Sequence, residues 1–168
     1  MQLFPDHTFH LARTFNAPRE LVFKAWTEAD HMLEWWGPVG MTMRIAKMEF
    51  RPGGVFHYSM TTPDGTEMWG KFVYREIAPY ERLVFVNCFA DAAGNPIRHP
   101  MAPTWPLEML STLVFHEHDG KTTLEMSAIP INATDEESAA FAAAHASMQQ
   151  GWKGTLEQLE AYLAQRGS

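Results

Sequence analysis

Histidines and a single cysteine are the residues of this 168-residue chain whose types could do chemistry directly. His7 and His10, and likewise His116 and His118, form short-range pairs on predicted strands. A metal site needs a fuller ligand set, and neither an HExxH sequence nor a cysteine partner accompanies either pair. We therefore expect solvated histidines and no metal site.

Nucleophilic and acid–base catalysis also lack their usual partners in the sequence. Cys88 lies in an apolar strand, and no serine occupies a G-x-S-x-G turn. The acidic run 135–137 is explained by the start of a helix, and alternation along its strand turns Glu125 to solvent. The sequence thus contains no recognisable catalytic motif, and we expect no cofactor.

A larger set of residues combines apolar walls with few polar groups, which is the composition of a ligand pocket. Three strand residues share one face by alternation, and a second strand carries an asparagine with a phenylalanine two residues on. The last helix adds a histidine, a glutamine four residues further on, and a tryptophan. The predicted ligand-binding residues are therefore Phe56, Tyr58, Met60, Asn87, Phe89, His145, Gln149 and Trp152.

Each of these residues also has a structural interpretation, because aromatic stripes usually belong to a core. An inward Asn87 needs a hydrogen-bond partner, which a ligand, a water molecule or His145 could supply. His145 is either a core histidine satisfied by a backbone carbonyl or by Tyr58, or a cavity residue that orients a ligand or moves a proton. Alternation leaves open which face of the 83–89 strand points inward.

The elements that position these residues follow from the periodicity of the chain. Residues 7–15 alternate as a strand, and two short helical segments follow, NAPRELVFKAW and HMLEWW. Six antiparallel strands come next, separated by turn signals such as Asp119-Gly120. The segment TDEE opens a long C-terminal helix, with Thr134 as its N-cap and Glu137 completing a capping box.

Two stripes on this helix predict different surroundings. One edge carries only small residues, which allow a close approach to a neighbouring surface, and the C-terminal half is uniformly apolar, which indicates burial. The small residues are Ala144, Ser147, Gly151 and Gly154, and the apolar ones are Leu156, Leu159 and Leu163.

The order of elements predicts an α+β fold, in which a curved antiparallel sheet wraps around one long C-terminal helix. One helix cannot contact such a sheet everywhere, so a ligand cavity between them is expected. The connection from Asp91 to Pro106 contains four prolines. We expect it to be an irregular loop and the entrance lid of the cavity.

Composition limits the class of protein. The length suits a single domain over residues 1–168, and the net charge of -7 without a dense Lys/Arg cluster excludes nucleic acid as a partner. One cysteine excludes an internal disulfide, and no apolar run is long enough for a membrane span or a leader segment. A soluble, cytoplasmic protein is expected, and its oligomeric state is left open, with a homodimer as one alternative.

Five segments resemble one group of proteins in order and spacing. They are NAPRELVFKAWTEADHMLEWWGP, MEFRPGGVFHYSM, GKFVYREIAPYERLVF, HDGKTTLEM and GWKGTLEQLEAYL, and the resemblance as a whole covers roughly residues 8–164. The chain resembles the START-like helix-grip (SRPBCC) superfamily, in the AHSA-type branch related to the C-terminal domain of the activator of the heat-shock-protein ATPase. The resemblance implies the helix-grip fold, but this superfamily includes carriers, cyclases, receptors and co-chaperone domains.

The residues and the resemblance lead to one leading hypothesis and two alternatives. The leading one is a soluble binding protein that encloses a small hydrophobic molecule, aromatic or acyl, between sheet and C-terminal helix. An enzyme of the cyclase, dehydratase or hydrolase type would use the same cavity, with His145 and Tyr58 as acid–base groups. The second alternative is a chaperone-interacting module. It is less favoured, because this chain has no room for the separate N-terminal domain that co-chaperone activators carry.

Overall fold

The structure is a computed structural model that describes residues 8–36, 40–98 and 103–166. His7, Gly37 and Pro38, together with Pro100 of the predicted lid, lie outside these ranges. Within them the chain forms eight strands and four helices. These are β1 (Phe9–Phe15), α1 (Arg19–Thr27), α2 (Ala29–Trp35), β2 (Thr42–Met48), β3 (Val55–Thr61), β4 (Glu67–Ala78), β5 (Arg82–Ala90), β6 (Pro96–Ile97), β7 (Glu108–His118), β8 (Lys121–Ile131), α3 (Asp135–Ala143) and α4 (His145–Arg166).

The strands build one antiparallel sheet in the order β1-β8-β7-β5-β4-β3-β2, with β6 paired to β5. The register shifts in β2 between Ile45 and Lys47, and between Tyr74 of β4 and Glu76. Shifts of this kind bend a strand and increase its twist, so they help the sheet to curve. The predicted α+β helix-grip architecture is confirmed.

Two predicted local features are also confirmed. Asp119 and Gly120 have φ values of 53° and 77° and join β7 to β8, as the Asp-Gly hairpin signal predicts. At the start of α3, the Glu137 backbone N–H donates to Thr134 Oγ1 over 3.1 Å, and the Thr134 backbone N–H donates to Glu137 Oε1 over 2.9 Å. The capping box therefore satisfies two backbone donors at this end of the helix.

The segment predicted as one long C-terminal helix is two helices that meet at Ala144. The Ala144 N–H bonds to the Phe141 carbonyl, a tight i to i+3 turn, and its ψ of 0° interrupts the regular helix. Phe141 is fully buried in a cluster with Phe9 and Met109. We attribute the break to this tertiary anchor, because the local sequence is rich in alanine and contains neither Gly nor Pro.

The connection after β5 is more ordered than predicted. Asp91 Oδ1 accepts hydrogen bonds from the backbone N–H groups of Ala93 and Asn95, which shapes a tight turn. The chain then adds β6, whose Pro96 and Ile97 pair with Ala90 and Phe89 of β5. Proline is tolerated because it lies in a two-residue strand beside the main sheet order. The prediction of an irregular loop is therefore wrong for this half of the connection.

Tryptophans fasten the helices to the sheet and to one another. Trp26 and Trp35 are buried with ring centroids 4.8 Å apart, and the Trp35 indole N–H donates to the Ala25 carbonyl over 2.9 Å. In α4 the predicted apolar residues Leu156, Leu159 and Leu163 are buried, as expected. No described helix is long and apolar enough to cross a membrane.

The predicted close approach along the small-residue edge of α4 is wrong at Gly151. This glycine is exposed, and a Cβ built on it would meet no atom within 4 Å. Gly70 of β4 does permit a close contact, because a Cβ there would lie only 2.4 Å from the hydroxyl oxygen of Tyr58.

Candidate functional site

A cavity of about 170 Å³ lies between the inner face of the sheet and the helices. Its walls come from β1, β3, β4, β5, β7 and β8 on one side, and from α1, α4 and the residue after α2 on the other. The aromatic lining residues are Phe9, Trp26, Trp36, Tyr58, Phe72, Phe85 and Trp152. The aliphatic ones are Met109, Leu113, Met126, Ala128 and Met148, and the polar ones are Asn87, Ser111 and Ser127.

Aromatic contacts hold the wall in a defined geometry. Trp36 meets Tyr58 and Phe72 edge to face, with centroids 5.9 and 5.6 Å apart, and lies 5.5 Å from Trp152 of α4. Phe72 is stacked on Phe85 with centroids 4.1 Å apart. Edge-to-face and stacked pairs favour particular orientations, so the cavity is bounded by rings that support one another.

Gly70 gives Tyr58 its position in the wall. The two residues are direct cross-strand partners on β3 and β4, and the end of the tyrosine ring lies over the glycine. Any side chain at position 70 would occupy the same space, since a Cβ would come within 2.5 Å of the ring carbon that carries the hydroxyl. The ring therefore extends from β3 across β4, towards β5.

The inner face of β5 carries Phe85 and Asn87, which both line the cavity. This placement resolves the alternatives that strand alternation left open. The Ser111 hydroxyl of β7 donates to Asn87 Oδ1 over 2.6 Å, so the partner of the asparagine is Ser111. This hydrogen bond uses the amide oxygen of Asn87 and not its NH₂ group.

Two donors in the wall lack hydrogen-bond partners among the described residues. The indole N–H groups of Trp26 and Trp36 are buried, and neither forms a hydrogen bond within the described part of the chain. Burial raises the pKa of the Tyr58 hydroxyl far above its ordinary value. The nearby Trp36 N–H opposes this rise in pKa, but the Trp36–Tyr58 pair does not reach hydrogen-bond geometry. Tyr58 is therefore a neutral phenol at physiological pH.

Three of the predicted ligand-binding residues, Tyr58, Asn87 and Trp152, come together in this cavity. Phe56 is fully buried behind them, stacked on Tyr58 with centroids 4.8 Å apart. Met60 is half-buried and packs against the core. These two residues support the wall and do not line it.

The other three predicted residues lie elsewhere. Phe89 lines a separate surface pocket beside Trp69 and Ile97. His145 packs edge-on against Phe9 and Phe141, with centroids 5.6 and 5.3 Å away, one layer behind the cavity wall. Gln149 is exposed in an outer groove between β1 and α4. His145 is the first residue of α4, directly after the break at Ala144.

His116, His118 and Glu125 behave as surface groups. His116 Nε2 lies 3.3 Å from a carboxylate oxygen of Glu125, whose side chain is 46% exposed. The side chain of His118 is 91% exposed. Their exposure confirms the predicted solvated histidines of this pair and the outward orientation of Glu125. No cluster of metal-binding side chains occurs among the residues that the structure describes.

The sequence patterns do not predict several of the residues that line the cavity. Ser111, Met109 and Ala128 lie on β7 and β8, and their inward positions depend on the register that pairs Ser111 with Phe85 and with Ala128. Trp36 follows α2, and its placement against Tyr58 is a long-range contact. The Trp-Trp pair in the sequence could have indicated this placement. Adjacent residues at the end of a helix point in different directions, so one of the two tryptophans must face away from the surface that the other covers.

An antiparallel sheet curved around a C-terminal helix defines a START-like helix-grip domain. The chain belongs to the family described as Activator of Hsp90 ATPase homolog 1-like protein, whose family model matches residues 16–164. A search among curated proteins gives no match.

Solved structures of bacterial proteins share the fold. An Arthrobacter aurescens protein is 25% identical, with a TM-score of 0.80 over 95% of this chain and 87% of its own. A Mycobacterium smegmatis protein, Ms6760, is 23% identical, with a TM-score of 0.77 over 94% and 91%. An AHSA1 protein from Silicibacter pomeroyi is 20% identical, with a TM-score of 0.71 over 95% and 99%. Similarity at this level establishes the fold and leaves the ligand open.

Proposed function

We propose that this protein binds a small hydrophobic molecule, aromatic or acyl, in the cavity between its sheet and α4. The observation that carries the proposal is a cavity of about 170 Å³ whose wall is mostly apolar. An apolar cavity of about 150 Å³ accepts benzene, whereas sites for drug-sized ligands begin at about 300 Å³. The ligand is therefore the size of one ring or a short acyl chain.

Energetics support a binding role for this space. An unfilled cavity destabilises a protein by roughly 24 cal/mol per Å³, which amounts to about 4 kcal/mol for 170 Å³. That is a large fraction of the stability of a typical domain. A ligand that fills the cavity recovers dispersion contacts and removes its own apolar surface from water.

The positions of the candidate acid–base groups favour binding over catalysis. The cyclase, dehydratase or hydrolase alternative requires His145 and Tyr58 to face the same substrate. Tyr58 lines the cavity as a neutral phenol, while His145 lies behind Phe9. Contact with a chaperone stays a prediction that rests on the family's description alone, which names an activator of the Hsp90 ATPase.

Toluene is a suitable first probe, because it is close in size to the cavity. At about ten times its dissociation constant, toluene should raise the Tm by about 3–6 °C in a chain of this length. Ala128→Leu should abolish this shift, because it extends a branched side chain from the inner face of β8 into the cavity. The measurement is differential scanning calorimetry across a toluene titration.

Ala161→Leu is the matched control, since residue 161 is exposed on α4 and the same change there leaves the cavity intact. The control variant should keep the full toluene shift. If wild-type protein shows no shift, or if Ala128→Leu keeps it, the proposed binding site is wrong.

A further inference from the structure

We infer that the cavity selects a neutral ligand that carries a hydrogen-bond acceptor, such as a carbonyl oxygen, on its apolar body. The inference rests on the proposed function and specifies the chemical class of the ligand. Three properties of the wall support it: its lack of charge, the kind of polar groups left unpaired, and the convergence of those groups.

Among the described residues, the wall contains no charged side chain. None of the fifteen lining residues is Asp, Glu, Lys, Arg or His. A carboxylate or an ammonium group transferred into such a site loses its hydration without gaining a counter-charge, which is strongly unfavourable. Ring faces attract cations, but a cation would leave the N–H donors of the wall unpaired.

The unpaired polar groups are donors. An indole nitrogen only donates, and Trp26 and Trp36 both have a buried N–H without a partner among the described residues. Asn87 uses Oδ1 to accept from Ser111, which leaves its NH₂ group. The Tyr58 hydroxyl carries its proton because burial raises its pKa. Leaving such donors unsatisfied is unfavourable, so the complementary ligand group is an acceptor.

The donors of Tyr58, Trp36 and Asn87 converge on one part of the wall. The Tyr58 ring lies across Gly70 and carries its hydroxyl over β4 towards β5. The partner of Gly70 on β5 is Phe89, and Asn87 lies two residues away on the same face, opposite Phe72. Trp36 packs against both Tyr58 and Phe72. A ligand oxygen in this part of the cavity lies beside the Tyr58 and Asn87 side chains, which both line it.

Acetophenone and α-methylstyrene test this inference because they have nearly the same shape and differ in C=O against C=CH₂. The preference of the protein is the ratio of the two dissociation constants, measured by titration calorimetry on the full chain. Tyr58→Phe should reduce the preference for acetophenone by about tenfold, because it removes one buried hydrogen bond.

The affinity of this variant for α-methylstyrene should change less than about threefold, because α-methylstyrene binding uses no hydrogen bond. Comparing ratios between variants removes the difference in hydration of the two probes.

Tyr74→Phe is the matched control. Tyr74 is also a buried tyrosine on the inner face of β4, but it does not line the cavity. Its substitution should leave the ratio unchanged. Benzoate at neutral pH should bind at least tenfold more weakly than acetophenone, because its charge finds no partner.

The outcomes separate this inference from the proposed function. If both neutral probes bind and Tyr58→Phe leaves their ratio unchanged, the acceptor inference is wrong and the apolar binding function stands. Benzoate or tetramethylammonium binding as tightly as acetophenone would also overturn the inference. If neither neutral probe binds to the wild-type protein, the proposed function itself fails.

Discussion

Single residues determine the shape of the cavity, and Gly70 is the clearest case. A glycine inside a strand usually weakens it, because the backbone has more freedom to lose and no side chain packs. At position 70 this absence of a side chain makes room for the Tyr58 ring. The tyrosine ring covers the glycine, and the tyrosine side chain forms part of the cavity wall.

Two glycine substitutions should therefore have opposite effects on stability. Gly70→Ala forces the Tyr58 ring to move, and overpacking of this kind destabilises a core by about 1–3 kcal/mol. Gly151→Ala should stabilise the protein by about 0.5–1 kcal/mol, because residue 151 is exposed in α4 and alanine favours the helix. Urea unfolding measures both changes. Equal stability of Gly70→Ala and wild-type protein would contradict the placement of the Tyr58 ring.

At the scale of elements, Arg98 and Glu137 join the connection after β6 to the start of α3. Arg98 forms an ion pair with Glu137 and donates to the Trp105 carbonyl over 3.3 Å. The hydrogen bond from the Thr134 backbone N–H is the main cause that holds the pKa of Glu137 below its ordinary value of 4.5, and the nearby Arg98 lowers it further. The carboxylate thus belongs both to the capping box and to the contact that fastens the predicted lid. The lid itself stays a prediction.

The depressed pKa of Glu137 makes part of the stability dependent on pH. A carboxyl group whose folded-state pKa is lowered stabilises the fold above its unfolded pKa, and this contribution is lost as the pH falls through the folded value. Glu137→Gln keeps a residue that can complete a capping box but removes the charge. Its Tm should lie below that of wild-type protein at pH 7, and the difference should shrink below about pH 4.5.

Scanning calorimetry between pH 7 and about pH 3 measures this difference in Tm. Glu136→Gln is the control, because Glu136 is exposed one residue earlier in the same turn. A difference for Glu137→Gln that stays constant across this range would show that its charge does not contribute.

At the scale of the whole molecule, the sequence predicts the architecture better than the site. Strand alternation, the Asp119-Gly120 turn and the Thr134 capping box are local signals, and the structure confirms each of them. The resemblance in five segments covers the fold as a whole. Local signals of this kind fix the order of elements, from which the sheet and its helices follow.

The site depends on contacts that local patterns do not contain. The Ser111 hydroxyl bonds to Asn87 because β5 and β7 are neighbours in a register that places Ser111 opposite Phe85, two residues from Asn87. No local pattern in the sequence shows that these two strands are neighbours. Trp36 enters the wall by packing on Tyr58 and Trp152, from elements far apart in the chain. His145 and Gln149 do not line it, because His145 packs against Phe9 and Phe141 and Gln149 is exposed in the outer groove.

The position of a bound probe tests the central claim most directly, because α4 borders more than one space. The cavity lies on its inner side, and the outer groove between β1 and α4 contains Leu11, Ala146 and Leu156. Nuclear Overhauser contacts between acetophenone and methyl-labelled protein distinguish them. We predict contacts to the methyl groups of Met126, Ala128 and Met148, and contacts confined to those of Leu11, Ala146 and Leu156 would contradict the account.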